Sequence, residues 1–387
     1  MDGLTPVARG LIGSAEIVFG GRRHLSLAAP LVRGAMRPWP SPFDRAPEEV
    51  MQHRGRQVCV LASGDPFHYG VGTVLARQID PREMTVVPAP SAFSLAAARL
   101  GWSLPQTVLL SVHGRTPDLI RPHLQPGAHI LVLTSDGEGP AALAKLLAEN
   151  GFGASRLTSL EALGGSRERI RTATAADFAL GTIDALNTLA IEVKAAPNAR
   201  VLALTPGLAE DLFEHDGQIT KREIRAATLS RLAPRRGELL WDIGAGSGSV
   251  AIEWMLADPT MRAVAIERRA DRAARIRRNA AAIGVPDLEI VEGAAPAVLS
   301  GLAAPDAIFI GGGGDAAVLD TAARALRPGG RLVANAVTLE TEAQLLARHA
   351  ALGGEMIRIA IARAEPVGGK IGWRAAMPVT QWTWCKP

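Results

Sequence analysis

Aromatic residues are scarce in this chain of 387 residues, at 4% of the total with a single tyrosine, Tyr69. A chain so poor in stacking surface does not read as a platform for single-stranded nucleic acid. Cysteine is scarcer still. Cys59 and Cys385 are too few and too far apart in sequence for a disulfide framework or a thiolate metal site, and no metal is expected. Cys59, inside the apolar run Val58 to Ala62, reads as a core residue. No apolar run reaches the ~20 residues that a membrane-spanning helix needs. No secretory leader precedes the first helical pattern. The expectation is a soluble cytoplasmic protein with neither membrane nor nucleic-acid partners.

What is present is globular. The chain is 48% hydrophobic and 21% charged, which supports sizeable cores and excludes general disorder. Its length favours two domains. The net charge of +4 suits a polyanionic small substrate as well as a nucleic acid. Arg268-Arg269 and Arg275 to Arg278 lie in an alanine-rich helical pattern and read as a solvated helix face.

Short apolar runs alternate with longer helical patterns. Strands are predicted over Val58–Ala62, Val108–Val112, Ile130–Leu133 and Thr188–Val193. In the second half they fall at Leu239–Ile243, Ala263–Glu267, Leu288–Val291, Ala307–Ile310 and Arg331–Asn335. The alternation predicts α/β domains with largely parallel sheets. Dense turn chemistry between about 195 and 220 marks a boundary, and we divide the chain into domains of 1–205 and 206–387. Thr220 is the expected cap of a helix over 221–232, with Glu223 three residues on completing a capping box.

The sharpest local signal is Asp242-Ile243-Gly244-Ala245-Gly246-Ser247-Gly248, between a strand and a helix starting at Val250. Glycines there permit a tight turn and close approach of backbone to ligand, and the helix N-terminus adds amide donors. Glu267 ends the next strand, where a carboxylate can accept both hydroxyl hydrogens of a ribose. Nicotinamide-binding folds use similar parts. The Gly-x-Gly-x-Gly spacing, Asp242 two residues before the first glycine, and the lack of a hydride-transfer substrate domain favour S-adenosylmethionine. Gly293-Ala294-Ala295 follows the next strand and resembles the region where class I methyltransferases contact adenine, which implies a contact through backbone groups or through a displaced Glu292. Gly311-Gly312-Gly313-Gly314 forms a shelf without side chains, open to a broad planar substrate or simply a flexible loop. Lys221, Arg222 and Arg225 are candidate clamps for substrate carboxylates, or else a solvated basic face.

In the first half, Ser63-Gly64-Asp65-Pro66 follows a strand, Pro88-Ala89-Pro90-Ser91-Ala92 leads into a helix, and Leu133-Thr134-Ser135-Asp136 ends another strand. Together these segments resemble the tetrapyrrole methylase family, the class III S-adenosylmethionine methyltransferases, over about residues 1–195. The C-terminal half resembles the class I decarboxylating methyltransferases of the corrin pathway. The segment Phe213 to Glu223 is similar to the interdomain signature of the two-domain members, and Pro366 to Gly369, Trp373 and Trp382 fit their ending. Those members begin with a strand and a glycine loop. This chain opens at Met1-Asp2-Gly3, just after that loop, so the first strand is expected to be missing, with a start assigned too late as the favoured explanation.

The resemblance implies a two-lobed class III methyltransferase followed by a Rossmann-like class I methyltransferase. It implies methylation of precorrin-6Y at C5 and C15, with loss of the C12 acetate carboxyl as carbon dioxide, to give precorrin-8X. Ser63, Gly64, Asp65, Ser91 and Ala92 would hold the methyl donor in the first domain. Asp242, Gly244, Gly246, Gly248, Glu267, Gly293, Ala294 and Ala295 would hold it in the second. Gly311 and Gly312 would face the macrocycle, and Asn335 and Thr338 would orient the acetate. His68 and His113 lie near the first site. A homo-oligomer is expected. Two rivals are a class I methyltransferase acting on RNA, against which the lack of an aromatic and basic patch counts, and a first domain that only binds or assembles.

Overall fold

The structure, a computed structural model, describes residues 3–41 and 43–387. Met1 and Asp2, which start the expected opening, lie outside them. The chain divides into two units. The first comprises the residues up to Arg115 together with Gly127–Ala196, and the second comprises Thr116–Pro126 and Pro197–Pro387. Residues 197–205, placed with the first domain from sequence, thus belong to the second unit, as does the short excursion 116–126.

The first unit carries two sheets among the described residues. Its elements are α1 (Pro6–Ser14), β1 (Ile17–Gly20), α2 (Arg22–Ala28), β2 (Ala35–Pro38), α3 (Ala46–Met51), β3 (Val58–Val60), α4 (Val71–Leu75) and α5 (Ala92–Leu100). There follow β4 (Thr107–Ser111), β5 (His129–Leu133), α6 (Gly139–Glu149), β6 (Arg156–Glu161), β7 (Arg169–Thr174) and β8 (Asn187–Glu192). One sheet is parallel, in the order β2-β1-β3, so β3 is an edge among the described residues. The other runs β4-β5-β8-β6-β7 and is antiparallel apart from the β4–β5 pair. Phe93, Ala96 and Ala97 bury one face of α5 against Leu131, Leu160 and Ala190. Their spacing of three and one keeps them on a single helical stripe.

The second unit contains α7 (Arg222–Leu232), β9 (Leu239–Ile243), α8 (Ser249–Leu256), β10 (Arg262–Glu267), α9 (Ala270–Ile283), β11 (Glu289–Glu292) and β12 (Ala307–Ile310). It continues with α10 (Ala316–Ala325), β13 (Arg331–Ala336), α11 (Leu339–Leu352), β14 (Glu355–Ile359), β15 (Ala362–Val367), β16 (Lys370–Ala375) and β17 (Val379–Cys385). Among the described residues these give a seven-stranded sheet, β11-β10-β9-β12-β13-β17-β14, and a β15–β16 hairpin. β17 is antiparallel to both its neighbours and the other pairs are parallel. The strand order reverses between β9 and β12, and the carboxyl ends there are where open α/β sheets place ligands. Trp254 and Trp382 are fully buried and send their ring N–H groups to Arg262 O and Gly353 O, each at 3.0 Å. Burial of these rings is thus compatible with their polar edge.

Two local expectations are corrected. Thr220 is not a cap: Lys221 occupies the cap position of α7 and its side chain makes no cap bond. The Glu210 carboxylate instead receives the Arg222 N–H at 3.3 Å and the Lys221 ammonium at 2.8 Å, while Glu223 turns to Arg363 at 2.6 Å. The arginines of α9 are paired rather than simply solvated. Arg272 and Arg275 hold Asp216, Arg278 holds Glu214 and Arg277 holds Glu292.

Candidate functional site

In the second unit the glycine loop after β9 turns on Gly244, Gly246 and Gly248, whose φ angles are +72°, +61° and +76°. A side chain is disfavoured at each on backbone grounds alone. Space separates their roles. A Cβ at Gly244 would stand 2.5 Å from Gly312 O, and one at Gly248 would stand 2.7 Å from Ile276 Cγ2. A Cβ at Gly246 would make only ordinary contact, with Gln218 O at 3.6 Å, so its glycine is required by backbone conformation rather than by crowding. Gly244 therefore seats the loop against the shelf after β12. On that shelf Gly312 has no neighbour within 4 Å of its Cβ direction.

Two buried carboxylates flank the loop. Glu267 is 4% exposed and accepts the Gly246 N–H at 2.9 Å and the Arg269 N–H at 3.0 Å, one on each oxygen. Each oxygen keeps a lone pair for a further donor. Asp242 is 1% exposed; one oxygen accepts the Ala251 N–H at 3.1 Å, and Oδ1 has no partner among the described residues. Burial, with some repulsion from Glu267, pushes the Asp242 carboxyl up to about 7 against the Ala251 hydrogen bond. The hydroxyl of Ser247 is likewise buried without a partner. Orphaned polar groups of this kind in a cradle call for a bound partner.

Gly293, also at positive φ, donates its N–H to Glu267 O at 3.0 Å, which brings the candidate adenine segment Gly293 to Ala295 beside the carboxylates. Glu292 is not displaced toward that segment. It pairs with Arg277 at 2.8 Å. Asn279 of α9 accepts Glu214 N–H at 2.8 Å and donates to Glu214 O and Ser247 O, so it ties the Phe213–Thr220 strap to the glycine loop.

The basic candidates separate. Arg225 is fully buried in a 2.5 Å pair with Glu253 and also donates to the carbonyls of Thr220 and Leu208. Glu253 in turn accepts the Gly207 and Leu208 N–H groups. Arg225 is thus a structural rivet, fully buried with all three of its nitrogens engaged. Lys221 is paired with Glu210, and Arg222 is exposed. Asn335 joins a buried network in which it donates to Thr228 Oγ1 at 3.0 Å and accepts from Gln381 at 2.9 Å. Thr338 lies outside that network. Its hydroxyl accepts the Thr341 N–H as the cap of α11.

In the first unit, a Cβ at Gly64 (φ +60°) would meet Pro90 O and Ser91 Cα, each at 2.9 Å, so the Ser63–Asp65 turn packs on the Ser91 segment. Asp65 Oδ1 accepts the Phe67 N–H at 2.8 Å and shapes that turn. Ser91 caps α5 through the Ser94 N–H, and Ala92 begins the helix, so the Ser91 hydroxyl is occupied. His68 packs 4.9 Å from the Phe93 ring, and a His113 ring nitrogen lies 3.2 Å from Thr134 O.

Comparison with known proteins places these features. Residues 1–179 match the Tetrapyrrole (Corrin/Porphyrin) Methylases family and residues 211–386 the Precorrin methyltransferase domain family. A Sinorhizobium precorrin-6Y C(5,15)-methyltransferase (decarboxylating) is 61% identical over 99% of this chain and 93% of its own length. The chain belongs to the precorrin-6Y C(5,15)-methyltransferase (decarboxylating) family. A Salmonella typhimurium relative, named cobalt-precorrin-6B C(15)-methyltransferase (decarboxylating), is 34% identical over 42% of this chain and 85% of its own. The crystal structure of the C-terminal domain of precorrin-6Y C5,15-methyltransferase from Rhodobacter capsulatus shares 53% identity, with a TM-score of 0.46, over 48% of this chain and 100% of that one. The α/β reading, with a tetrapyrrole methylase half followed by a class I methyltransferase half, holds.

Proposed function

We propose that the chain uses S-adenosylmethionine to methylate precorrin-6Y at C5 and C15 and releases the C12 acetate carboxyl as carbon dioxide, giving precorrin-8X in cobalamin biosynthesis. The observation that carries it is the cradle of Asp242, Gly246 and Glu267. Its two buried carboxylates have spare acceptor capacity beside the left-handed glycine loop. Glu267 is suited to a ribose diol and Asp242 Oδ1 to the donor's ammonium. Gly293, Ala294 and Ala295 offer backbone to adenine. The residue set fits the donor.

When bound, the donor supplies an electrophilic methyl group on a good leaving group. The protein's part is alignment and exclusion of water. Gly312 leaves room for the flat macrocycle, whereas a Cβ at Gly311 would meet the Phe309 ring at 2.8 Å, and exposed Arg222 would pair with one of the substrate carboxylates. Asn335, held by Thr228 and Gln381, has one N–H to spare for the acetate. A relative covering less than half of this chain carries both C15 methylation and decarboxylation in its name. We therefore assign that pair to the second unit and C5 to the first, where Ser63 to Asp65 and the Ser91–Ala92 backbone hold the donor. Exposed Ile371 and Trp373 on the β15–β16 hairpin motivate the expected homo-oligomer. The test is mass analysis of product from the full chain, donor and precorrin-6Y. Two methyl groups gained and one carbon dioxide lost is the expected result. A product with neither change rejects the reading.

A further inference from the structure

The first unit holds a polar cluster that donor binding does not account for. β1 runs through Gly20 and Gly21 into α2, which sets Arg23 and His24 at the carboxyl end of the parallel sheet. The turn after the neighbouring β3 brings Ser63 to the same end. His24 Nε2 lies 2.7 Å from Ser63 Oγ. Arg23 Nη2 lies 3.0 Å from that oxygen and 3.2 Å from His24 Nε2.

The donor inventory sets the protons in this cluster. Arginine has donors only, so its approach to His24 Nε2 leaves that nitrogen an acceptor. The Ser63 hydroxyl is then the donor to it, and the ring proton sits on Nδ1. Burial, aided by the Arg23 charge, holds the His24 pKa below its usual value, which keeps the ring neutral. Nδ1 is buried and has no partner among the described residues. A core histidine would have its ring nitrogens satisfied. This one is neutral, half-buried, and aimed at an exposed serine.

We propose that Ser63 and His24 form the proton-accepting pair of the first unit's methylation, with Arg23 holding the serine oxygen. The proposal rests on the reading of that unit as a carbon methyltransferase. Replacing hydrogen on a ring carbon by methyl requires a base. The new carbon–carbon bond forms as the carbon–sulfur bond breaks, and that electron pair stays on sulfur. The ring carbon then carries both methyl and hydrogen. Its C–H electron pair returns to the conjugated system as the proton moves to Ser63 Oγ, while the serine's own proton passes to His24 Nε2. The products are a methylated ring, a thioether and an imidazolium. Ser63 is the catalytic residue and His24 the positioning residue behind it. A positioned base of this kind contributes roughly 100-fold to 10,000-fold in rate.

The experiment analyses products of the full chain with S-adenosylmethionine and precorrin-6Y, for the natural sequence, Ser63→Ala, His24→Gln and His24→Ala. The natural chain should add two methyl groups. Each variant should add one and still release carbon dioxide, with the second addition slowed about 100-fold or more. In the His24 variants the KM for donor should stay unchanged, and added imidazole should partly restore His24→Ala. The surviving methylation reports that the second unit is folded, and an unchanged denaturant midpoint for the first unit reports the same for the unit that carries the variants. Ser63→Ala, at an exposed position, carries the test should the histidine variants not fold. Two methyl groups added by the variants at the natural rate would overturn the base pair alone. So would a loss that, in the His24 variants, is confined to a raised donor KM. A natural chain that adds one methyl group overturns the two-site reading as well.

Discussion

The two units hold their candidate donor sites with different chemistry. In the second, carboxylates on adjacent strands, Asp242 and Glu267, are buried against a loop of three left-handed glycines, and the strap from Phe213 to Thr220 is tied over that loop by Asn279. In the first, the corresponding turn has one left-handed glycine, Gly64, and its polar groups, Ser63 and Asp65, sit at or near the surface beside an edge strand. The difference teaches where each site gets its rigidity. The second stores it in desolvated charge, so removing one group should be costly. The first relies on turns and helix caps, so single changes should cost little stability.

The largest effect should come from Arg225→Met. It leaves Glu253 charged, buried and deprived of its partner, and breaking such a pair costs about 3–5 kcal/mol. In denaturant, the unfolding transition of the second unit should fall while that of the first stays in place. A shared shift of both would break the comparison.

Next is the pH dependence of the buried carboxyls, which has opposite signs in the two units. Asp242 has its carboxyl pushed up to about 7 from an ordinary 3.8. Between those values the folded state keeps a proton that the unfolded chain has lost, so stability falls as pH rises through the window, by of order 4 kcal/mol in total. Asp242→Asn should flatten that slope, measured by urea unfolding at several pH values. Glu161 in the first unit is held low: burial would raise its carboxyl, but Arg169, the Asp184 N–H and Arg171 outweigh it. Its contribution is present above the ordinary carboxylate range and is lost as pH falls through the lowered value. Acid should therefore weaken the first unit at this position while relieving the second at Asp242.

The smallest effect is Ser91→Ala. Losing the cap of α5 should cost about 1 kcal/mol in the first unit, read as a shifted denaturant midpoint. It should leave the second unit unmoved.

The same contrast governs what could be read from sequence. The loop from Asp242 to Gly248 announces itself because strand, glycines and helix follow in a short span, and every part is needed for one turn. The strands β9, β10, β12 and β13 read clearly as apolar runs, since interior parallel strands are buried on both faces. β2 and β7 escaped because neither carries an apolar run: the first is exposed throughout and the second alternates at the surface. Arg225 resembles a clamp in sequence because Glu253, its partner 28 residues on, sits on another helix. Thr220 and Glu223 have the spacing of a capping box, but Glu210 and Arg363, distant in sequence, outcompete it. His24 carries no local motif. Only the approach of two strand ends reveals its serine partner.

The most direct test of the central claim, a donor site in each unit, is calorimetric titration of the full chain with S-adenosylmethionine, repeated on Glu267→Ala. The account predicts two sites per chain, with one lost in the variant as the ribose acceptor disappears. A single site that vanishes with Glu267 would contradict it, and would leave the first unit without a donor.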